Sequence, residues 1–211
     1  MSKVLILTNG DYGDYTWTKP DQVYDRIICA DNGMKHAKKL GIIPDYIVGD
    51  FDSCNQETLQ DFKNKGVEII RMPAEKDETD TEIALDLALT KGATEVDIFG
   101  GTGSRLDHSI ANIQLLYKAH KQGVRCQLIS HHNKVRLLAN QVTLKGEKGD
   151  LVSLMPFTEK VTGVYTKGLA YPLERGTFEL GQAYGVSNYM LEETAFIEVK
   201  EGILIMIQAR D

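Results

Sequence analysis

The chain has 211 residues, which is enough for one large domain or two small ones with a full hydrophobic core. Hydrophobic residues make up 42% and charged residues 26%, a composition that excludes a disordered chain. The formal net charge of −6 argues against sequence-independent binding of nucleic acid. A small anionic substrate stays possible, because metal ions and lysines can offset an acidic average locally.

The amino terminus and the cysteines predict the compartment. The amino terminus lacks the length and cleavage site of a signal peptide, and no apolar run is long enough to span a bilayer. Cys29, Cys54 and Cys126 are odd in number, lie far apart and lack metal-ligand spacing, so we expect reduced thiols. These features predict a cytoplasmic protein without a membrane partner.

Residues 1–132 alternate short β-branched runs with helical patterns. Such alternation is typical of an α/β domain with a mostly parallel sheet and flanking helices. One of the helices begins at Thr79, whose Thr-x-x-Glu spacing to Glu82 is a capping box. Strands are predicted at 4–7, 26–30, 46–48, 67–71, 95–99 and 125–130, and helices from near Ser53 to Gly66, from Thr79 to Gly92 and from near Asp107 to Gly123.

Residues 133–211 have a different pattern, with no convincing helix. Apolar residues alternate with polar ones, and glycines recur at intervals typical of turns between strands, so we predict a smaller all-β sandwich domain. Glu201-Gly202 indicates a tight hairpin between the last two strands. The predicted strands are 142–144, 151–155, 161–165, 195–199 and 203–207.

Clusters of polar residues follow several predicted strands of the first domain. Ligands of open α/β sheets bind at the carboxyl ends of the strands, so these clusters are candidate sites. The first is Asp31-Asn32-Gly33 after strand 26–30, a sequence that by itself is more typical of a simple turn.

The second cluster is Gly-Asp-Phe-Asp-Ser after strand 46–48. In an extended chain, Asp50 and Asp52 project to the same side, and two adjacent carboxylates predict a cation between them. Magnesium suits such a pair, since it takes one or two carboxylates together with water and phosphate oxygens. The alternative is that Asp52 only caps the helix that follows.

The third cluster, Lys-Asp-Glu-Thr-Asp-Thr-Glu, begins at Lys76 and holds four acids within six residues. Asp77 and Asp80, three positions apart, are expected on one face with Lys76 beside them, as in a site for a metal and phosphate. The alternative is a solvated helix start, where acids are favoured by the helix dipole.

The fourth cluster is the glycine-rich segment 100–108, between a strand and a helix. Its backbone N–H groups and the helix amino terminus are suited to an anion, and Arg105 adds a bidentate donor. His108 is expected in the first helical turn. The segment lacks the Gly-Lys-Ser/Thr ending of a P-loop and the third glycine of the dinucleotide fingerprint, so a purely structural turn is the alternative.

The order of these motifs closely resembles the thiamine pyrophosphokinase family. Cys-Ala-Asp-Asn-Gly, Gly-Asp-Phe-Asp-Ser, Lys-Asp-Glu-Thr-Asp and Gly-Gly-Thr-Gly-Ser-Arg-Leu-Asp-His come in this sequence, followed by Gly-Val-Ser-Asn at 185–188. The resemblance implies transfer of pyrophosphate from ATP to thiamine, giving thiamine diphosphate and AMP. It also implies a nucleotide-binding catalytic domain at 1–132, a thiamine-binding sandwich at 133–211, and a homodimer with sites between subunits.

The resemblance also implies roles for particular residues. Asp31, Asp50, Asp52 and Asp80 would hold Mg²⁺ and the triphosphate, with Asp50, Asp52 and Asp80 as the metal ligands and either Asp77 or Asp80 relaying the hydroxyl proton. Thiamine would contact Ser187, Asn188 and Tyr171, the last standing where some members carry tryptophan. Residues implied in nucleotide binding are Asp31, Asn32, Gly33, Lys76, Thr79, Gly101, Thr102, Gly103, Arg105, Asp107 and His108.

Two other functions fit the same residues. One is a phosphotransferase with another donor or acceptor, which would release ADP. The other is a sensor that binds nucleotide or thiamine without turnover. Product analysis separates all three.

Overall fold

The computed structural model describes residues 1–18, 23–52 and 54–210, so part of the predicted helix start at Ser53 lies outside the described residues. The chain divides into two compact units, Met1–His131 and His132–Asp211. Within the described ranges, no helix has the length and apolar character needed to cross a membrane.

The first unit is built on a six-stranded parallel sheet, which confirms the predicted α/β architecture. Its strands follow one another in the order β6-β5-β1-β2-β3-β4 across the sheet. All six strands arise from the predicted runs, with ends displaced by at most one residue. Their bounds are β1 Lys3–Leu7, β2 Arg26–Ala30, β3 Tyr46–Gly49, β4 Glu68–Arg71, β5 Glu95–Phe99 and β6 Arg125–Ile129.

Four α-helices connect these strands: α1 Met34–Leu40, α2 Gln56–Asn64, α3 Asp80–Thr90 and α4 Leu106–Lys121. The start predicted near Ser53 is wrong by three residues, because Asn55 is the N-cap of α2 and its side-chain oxygen accepts a hydrogen bond from Thr58 N at 2.8 Å. Helix α1 was not predicted.

The capping box at the start of α3 is half formed. Thr79 Oγ1 accepts a hydrogen bond from Glu82 N at 3.2 Å, as the spacing predicts. The Glu82 carboxylate instead pairs with Lys118 of α4 at 2.9 Å, and the same ammonium pairs with Asp86 at 2.6 Å. The acids of α3 therefore tie two helices together.

Both faces of the parallel sheet are covered. Residues 4–7 of β1 are almost fully buried, with no polar alternation, as a strand between two helical layers requires. Leu5 and Leu7 pack with Met34 of α1 and with Leu59 and Phe62 of α2. Helix α3 lies against β1, β2 and β3.

The order of the strands creates a crevice at one edge of the sheet. The chain runs outward from β1 through β2 and β3 to β4, and then returns to place β5 on the other side of β1. The chain therefore continues from β1 and from β5 toward opposite sides of the sheet, to β2 and to β6. Open α/β sheets bind ligands at this kind of switch point.

The second unit is an antiparallel β-sandwich, which confirms the predicted fold of this part. One sheet has the order β12-β9-β14-β7 and the other β11-β10-β13-β8, and buried residues of both sheets form a single core. Within its described residues there is no helix. The strands are β7 Asn133–Leu138, β8 Gln141–Lys145, β9 Leu151–Pro156, β10 Lys160–Lys167, β11 Gly176–Glu179, β12 Asn188–Tyr189, β13 Thr194–Glu198 and β14 Leu204–Ala209.

The predicted hairpin at Glu201-Gly202 is wrong. Strand β13 pairs with β8 and β10, whereas β14 pairs with β7 and β9 in the other sheet. The backbone of Glu201 instead forms an isolated bridge with Thr162. The segment therefore connects one sheet to the other. The alternation of side chains does not show which sheet a strand belongs to.

Candidate functional site

A cleft of about 520 Å³ lies at the carboxyl ends of the parallel strands. Its walls come from the loops after β1, β2, β3, β4 and β5, together with the first turns of α3 and α4. The amino termini of α3 and α4 therefore face the same space, and the helix dipoles and first-turn N–H groups favour an anion there. The lining residues fall within 8–11, 30–31, 50, 74–81 and 100–112.

The loop after β1, from Thr8 to Asp11, lines the cleft but was not predicted as part of the site. Thr8 donates two hydrogen bonds to Phe99 O, from its backbone N at 3.1 Å and from Oγ1 at 2.9 Å. A Cβ on Gly10 would lie 1.9 Å from Gly100 O, so only glycine lets the two loops approach so closely. The loop from Thr8 to Asp11 could have been predicted as part of the site, because it directly follows a predicted strand.

Asp31 stands at the carboxyl end of β2 in a left-handed conformation, with φ of 45°. Its Oδ1 atom is buried and has no hydrogen-bond partner among the described residues. Burial raises the pKa of Asp31, and the charges of Asp80 and Asp50 raise it further, against the opposing effects of a backbone hydrogen bond at Asn32 and of the Lys76 charge. A strained and poorly solvated carboxylate of this kind is typical of a binding site.

The expected same-side arrangement of Asp50 and Asp52 is wrong. Phe51 between them has φ of 64°, so the chain is not extended, and Asp52 N donates to Asp50 Oδ1 at 3.0 Å. Asp50 lines the cleft, whereas Asp52 is exposed and is not among the lining residues. The capping alternative for Asp52 is also wrong, because Asn55 caps α2.

Arg71, at the end of β4, supports this turn from outside the cleft. Its Nη1 donates to Asp50 O at 2.9 Å, and its guanidinium lies 5.1 Å from the centre of the buried Phe51 ring. The Asp52 backbone hydrogen bond lowers the pKa of Asp50, and the Lys76 charge lowers it further. Asp50 is therefore held as a carboxylate directed at the cleft.

Lys76 lies between two of the cleft carboxylates. Its Nζ is 3.1 Å from Asp80 Oδ1 and 3.5 Å from Asp50 Oδ2, and it also donates to Pro73 O at 3.3 Å. Burial alone would lower the pKa of Lys76, but its contact with Asp80 and the charge of Asp50 raise it. Asp77 is exposed and, unlike Asp80, is not among the cleft-lining residues.

The acids of the cleft offer oxygen donors for a magnesium ion. Within the part of the chain that is described, no three His, Cys, Asp or Glu side chains converge on one point as a ready-made metal site. However, Asp31 Oδ1 and Asp80 Oδ1 are buried without a hydrogen bond of good geometry, although the latter has the Lys76 ion pair. Buried carboxylate oxygens are the donor type that Mg²⁺ prefers, and Asp31 Oδ1 has no hydrogen-bond partner in the described residues, so the residues fit the ion.

The glycine-rich loop is anchored by two residues of α4. Asn112, which is buried, donates from Nδ2 to Gly101 O at 2.7 Å. Ser109 Oγ accepts a hydrogen bond from Gly103 N at 3.2 Å. Both were missed from the sequence, although a polar residue on the buried face of an amphipathic helix is a usable signal. Gly101, Thr102 and Gly103 all line the cleft.

Arg105 lines the cleft but is paired with Asp107 in this structure. Its Nη2 lies 2.5 Å from Asp107 Oδ2, and its Nε donates to Oδ1 at 3.2 Å. The Arg105 hydrogen bond lowers the pKa of Asp107 to about 2. His108 lies in the first turn of α4 and lines the cleft, whereas Asp107 does not.

Two residues of the predicted Asp-Asn-Gly cluster lie outside the cleft lining. Asn32 is half-buried in the short 3-10 turn after β2, and Gly33 is fully buried beneath it. A Cβ on Gly33 would lie 2.0 Å from Leu7 O, so this glycine packs the turn against β1. Thr79 lines the cleft as well as capping α3.

An aromatic cluster lies behind the loops after β1 and β5. Tyr12 stacks on the buried His36 ring with centroids 3.7 Å apart, and its hydroxyl donates to Phe99 O at 3.0 Å. Trp17, which the sequence did not place, packs 5.1 Å from the Phe99 ring. Tyr15 O–H contacts His36 Nδ1 at 2.6 Å.

The predicted thiamine contacts lie together within the sandwich unit. Asn188 Oδ1 accepts a hydrogen bond from Tyr171 N at 3.0 Å, and its Nδ2 donates to Tyr171 O at 2.8 Å. The Tyr171 ring is 67% exposed and meets Tyr189 edge-on at 6.2 Å. Ser187 has φ of 60° and its N donates to Ser153 Oγ at 3.0 Å. Asn188 thus fixes the backbone that presents the exposed ring.

Comparison with known families and proteins agrees with the order of the motifs. Residues 21–128 match the model of the thiamin pyrophosphokinase catalytic domain. Residues 139–204 match the model of the thiamin pyrophosphokinase vitamin B1 binding domain. The two matches fall in different structural units.

Similar proteins and structures carry the same name. The chain is 34% identical over 186 residues to thiamine pyrophosphokinase of Bacillus subtilis, with 87% of each chain covered. The crystal structure of the Bacillus subtilis protein superposes with a TM-score of 0.89 and 30% identity over the full length of both chains. That of Geobacillus thermodenitrificans thiamin pyrophosphokinase gives 0.85 and 28%, covering 99% of this chain and 98% of the other. The chain therefore belongs to the thiamine pyrophosphokinase family.

Proposed function

We propose that the protein transfers the pyrophosphoryl group of ATP to the hydroxyl of thiamine, giving thiamine diphosphate and AMP. The observation that carries the proposal is the cleft at the sheet switch point. Asp31, Asp50, Asp80 and Lys76 share this cleft with the glycine-rich loop and the first turns of two helices. The membership of the family supplies the identity of the two substrates.

In this proposal the α/β unit binds the nucleotide. The backbone N–H groups of Gly101, Thr102 and Gly103 and the side chains of Arg105 and His108 would contact the phosphates. Arg105 would exchange its exposed Asp107 partner for a phosphate, a small change for a residue whose side chain is 70% exposed. Transfer of a phosphoryl group depends mainly on positioning and charge neutralisation, which this set of groups supplies.

Asp50 and Asp80, with Asp31 beside them, would hold magnesium. When bound, the ion would neutralise phosphate charge and orient the triphosphate. The exposed Asp52 is not among the lining residues, so its predicted part in metal binding requires the turn at Phe51 to rearrange. Of the two candidates for the proton relay, Asp80 is the one that lines the cleft, and we assign that role to its carboxylate.

The sandwich unit would bind thiamine through Tyr171, Ser187 and Asn188, and two copies of the chain would form a dimer with sites between subunits. Several large apolar side chains between residues 180 and 191 are exposed, and exposed apolar surface is a feature of interaction sites. The exposed fractions are 65% for Leu180, 46% for Tyr184, 52% for Val186 and 44% for Leu191. A cytoplasmic location and the absence of nucleic-acid and membrane partners stay predictions.

Subunit mixing tests the shared site. An Asp50→Asn chain and an Asn188→Ala chain, each inactive alone, should recover roughly a quarter of wild-type activity after random exchange into two-fold dimers. Flat activity after exchange, with mixed dimers demonstrated by mass spectrometry, would place each site within one chain.

Isotope labelling tests the reaction. With ATP labelled at the γ-phosphate, the label should end on the terminal phosphate of thiamine diphosphate, with an equal amount of unlabelled AMP. ADP as the main nucleotide product, or thiamine monophosphate that accumulates and then declines, would contradict the proposal and indicate single-phosphate transfer. A sensor would give no product.

A further inference from the structure

The ammonium of Lys76 occupies the centre of the acidic part of the cleft. Its side chain is only 9% exposed, and Nζ lies within 3.5 Å of carboxylate oxygens of both Asp50 and Asp80. In the residues that the structure describes, these two carboxylates have no other ion-pair partner. Lys76 is therefore the local counter-ion of the group.

This arrangement leaves the acids short of positive charge. Asp31, Asp50 and Asp80 together carry three potential negative charges, Lys76 forms ion pairs with two of them, and Asp31 Oδ1 remains buried without a hydrogen bond to any described residue. A further cation is therefore favoured in the cleft. The oxygens that face the ammonium, Asp50 Oδ2 and Asp80 Oδ1, are also carboxylate donors of the type that Mg²⁺ prefers.

A divalent ion and an ammonium cannot share the same carboxylate oxygens without strong repulsion, because both charges would lie within a few ångströms in a partly buried site. We propose that Lys76 is a resident counter-ion that competes with the divalent metal for Asp50 and Asp80, and that it pairs with the nucleotide phosphates when the metal takes its place. The proposal rests on the function proposed above.

The consequence is a coupling between metal and nucleotide. Metal alone must displace the ammonium from Asp50 and Asp80 without supplying a new anionic partner for it, so metal binding is weakened. With nucleotide present, Lys76 gains the phosphates, which line the same cleft in the proposed complex, so its displacement is no longer opposed. Each ligand therefore increases the affinity for the other.

Replacing Lys76 by methionine separates the counter-ion role of its charge from the packing of its side chain, because methionine has a similar volume and no charge. We expect Lys76→Met to bind Mn²⁺ alone about tenfold or more tightly, since an opposite charge within about 4–6 Å shifts an ionic equilibrium by a factor of ten or more. The same variant should bind the Mg²⁺ complex of α,β-methylene-ATP at least tenfold more weakly. A residue that only contacts phosphate would leave the affinity for Mn²⁺ alone unchanged.

Lys118→Met is the matched control, because Lys118 also bridges two carboxylates, those of Glu82 and Asp86, away from the cleft lining. Free Mn²⁺ is counted by electron paramagnetic resonance, and the analogue is titrated by calorimetry, on intact wild-type and variant protein. Both affinities of Lys118→Met should equal those of the wild type. If Lys76→Met does not fold by circular dichroism, Lys76→Gln replaces it.

Unchanged or weaker Mn²⁺ binding by the folded Lys76 variant overturns the inference. The labelling experiment on the wild type reports separately on the proposed function. If the wild type forms AMP and thiamine diphosphate but Lys76→Met fails to gain Mn²⁺ affinity, the reaction stands and the counter-ion role is wrong.

Discussion

Asn112 offers a direct test of how the glycine-rich loop is held. Its Nδ2 donates to Gly101 O at 2.7 Å, and both residues are buried. The variant Asn112→Leu keeps the side-chain volume and removes the donor. Gly101 O then stays in the protein interior without this hydrogen bond, in a loop that lines the cleft.

An unsatisfied buried carbonyl costs about 1–3 kcal/mol of the free energy of unfolding. For a chain of this size, each kcal/mol lowers Tm by roughly 2–4 °C, so a loss of about 2 kcal/mol corresponds to roughly 4–8 °C. The loop should also become less ordered around the phosphates. We therefore expect the KM for ATP to rise by about tenfold, the factor that 1.4 kcal/mol of lost binding produces.

Urea and thermal unfolding followed by circular dichroism give the stability, and initial rates at varied ATP give KM. Asn64→Ala, on the exposed end of α2, is the control and should change stability by less than about 0.5 kcal/mol. An Asn112→Leu protein with wild-type Tm and wild-type KM for ATP would refute the assignment of Asn112 as the anchor of this loop.

Three further predictions concern single residues. Asp50→Asn should lower kcat by about 10²–10³ with an unchanged circular dichroism spectrum, because a charged partner of the transition state is lost; near-normal turnover would remove Asp50 from the site. Thr79→Ala should lower the free energy of unfolding by about 0.5–2 kcal/mol, because the N-cap of α3 is lost. Thr79→Ser keeps the hydroxyl and should keep the wild-type stability. Equal stability of the two variants would contradict the capping role. Burial and, to a smaller extent, the charge of Lys35 lower the pKa of His36 from 6.5 to about 4 in the folded protein. As pH falls, the unfolded chain therefore binds a proton at His36 at a higher pH than the folded protein does. Unfolding free energy should thus drop by up to about 3 kcal/mol between pH 6.5 and 4, and this slope should flatten in His36→Asn when urea unfolding is compared across that range.

Much of the fold could be predicted because its signals are local. The strands predicted at 26–30 and 95–99 match β2 and β5 to the residue, since a short apolar run between polar loops is typical of a buried strand. The Thr79 cap is likewise predicted by a pattern of four consecutive residues, Thr-x-x-Glu. Helix α1 was not predicted from the sequence, because it has only seven residues and begins directly after a turn sequence.

The site was predicted less completely than the fold. Acids and glycines after parallel strands indicated the correct edge of the sheet, and Asp31, Asp50 and Asp80 all reach the cleft region. The orientation of Asp52 could not be predicted, because it depends on a left-handed residue at Phe51. That conformation is supported by Arg71, which lies 20 residues further along the chain and contributes from a neighbouring strand.

The sequence by itself determined the two architectures, the edge of the sheet that carries the chemistry and the family to which the chain belongs. These follow from apolar periodicity and from the order of short motifs, which are properties of neighbouring residues. The tertiary structure decided which polar groups share the cleft. It brought the loop after β1 against Gly100, anchored Gly101 on Asn112, directed β13 and β14 into separate sheets and set Lys76 between two carboxylates. Each of these contacts joins segments whose proximity is set by the packing of the sheets, a long-range property that no local pattern encodes.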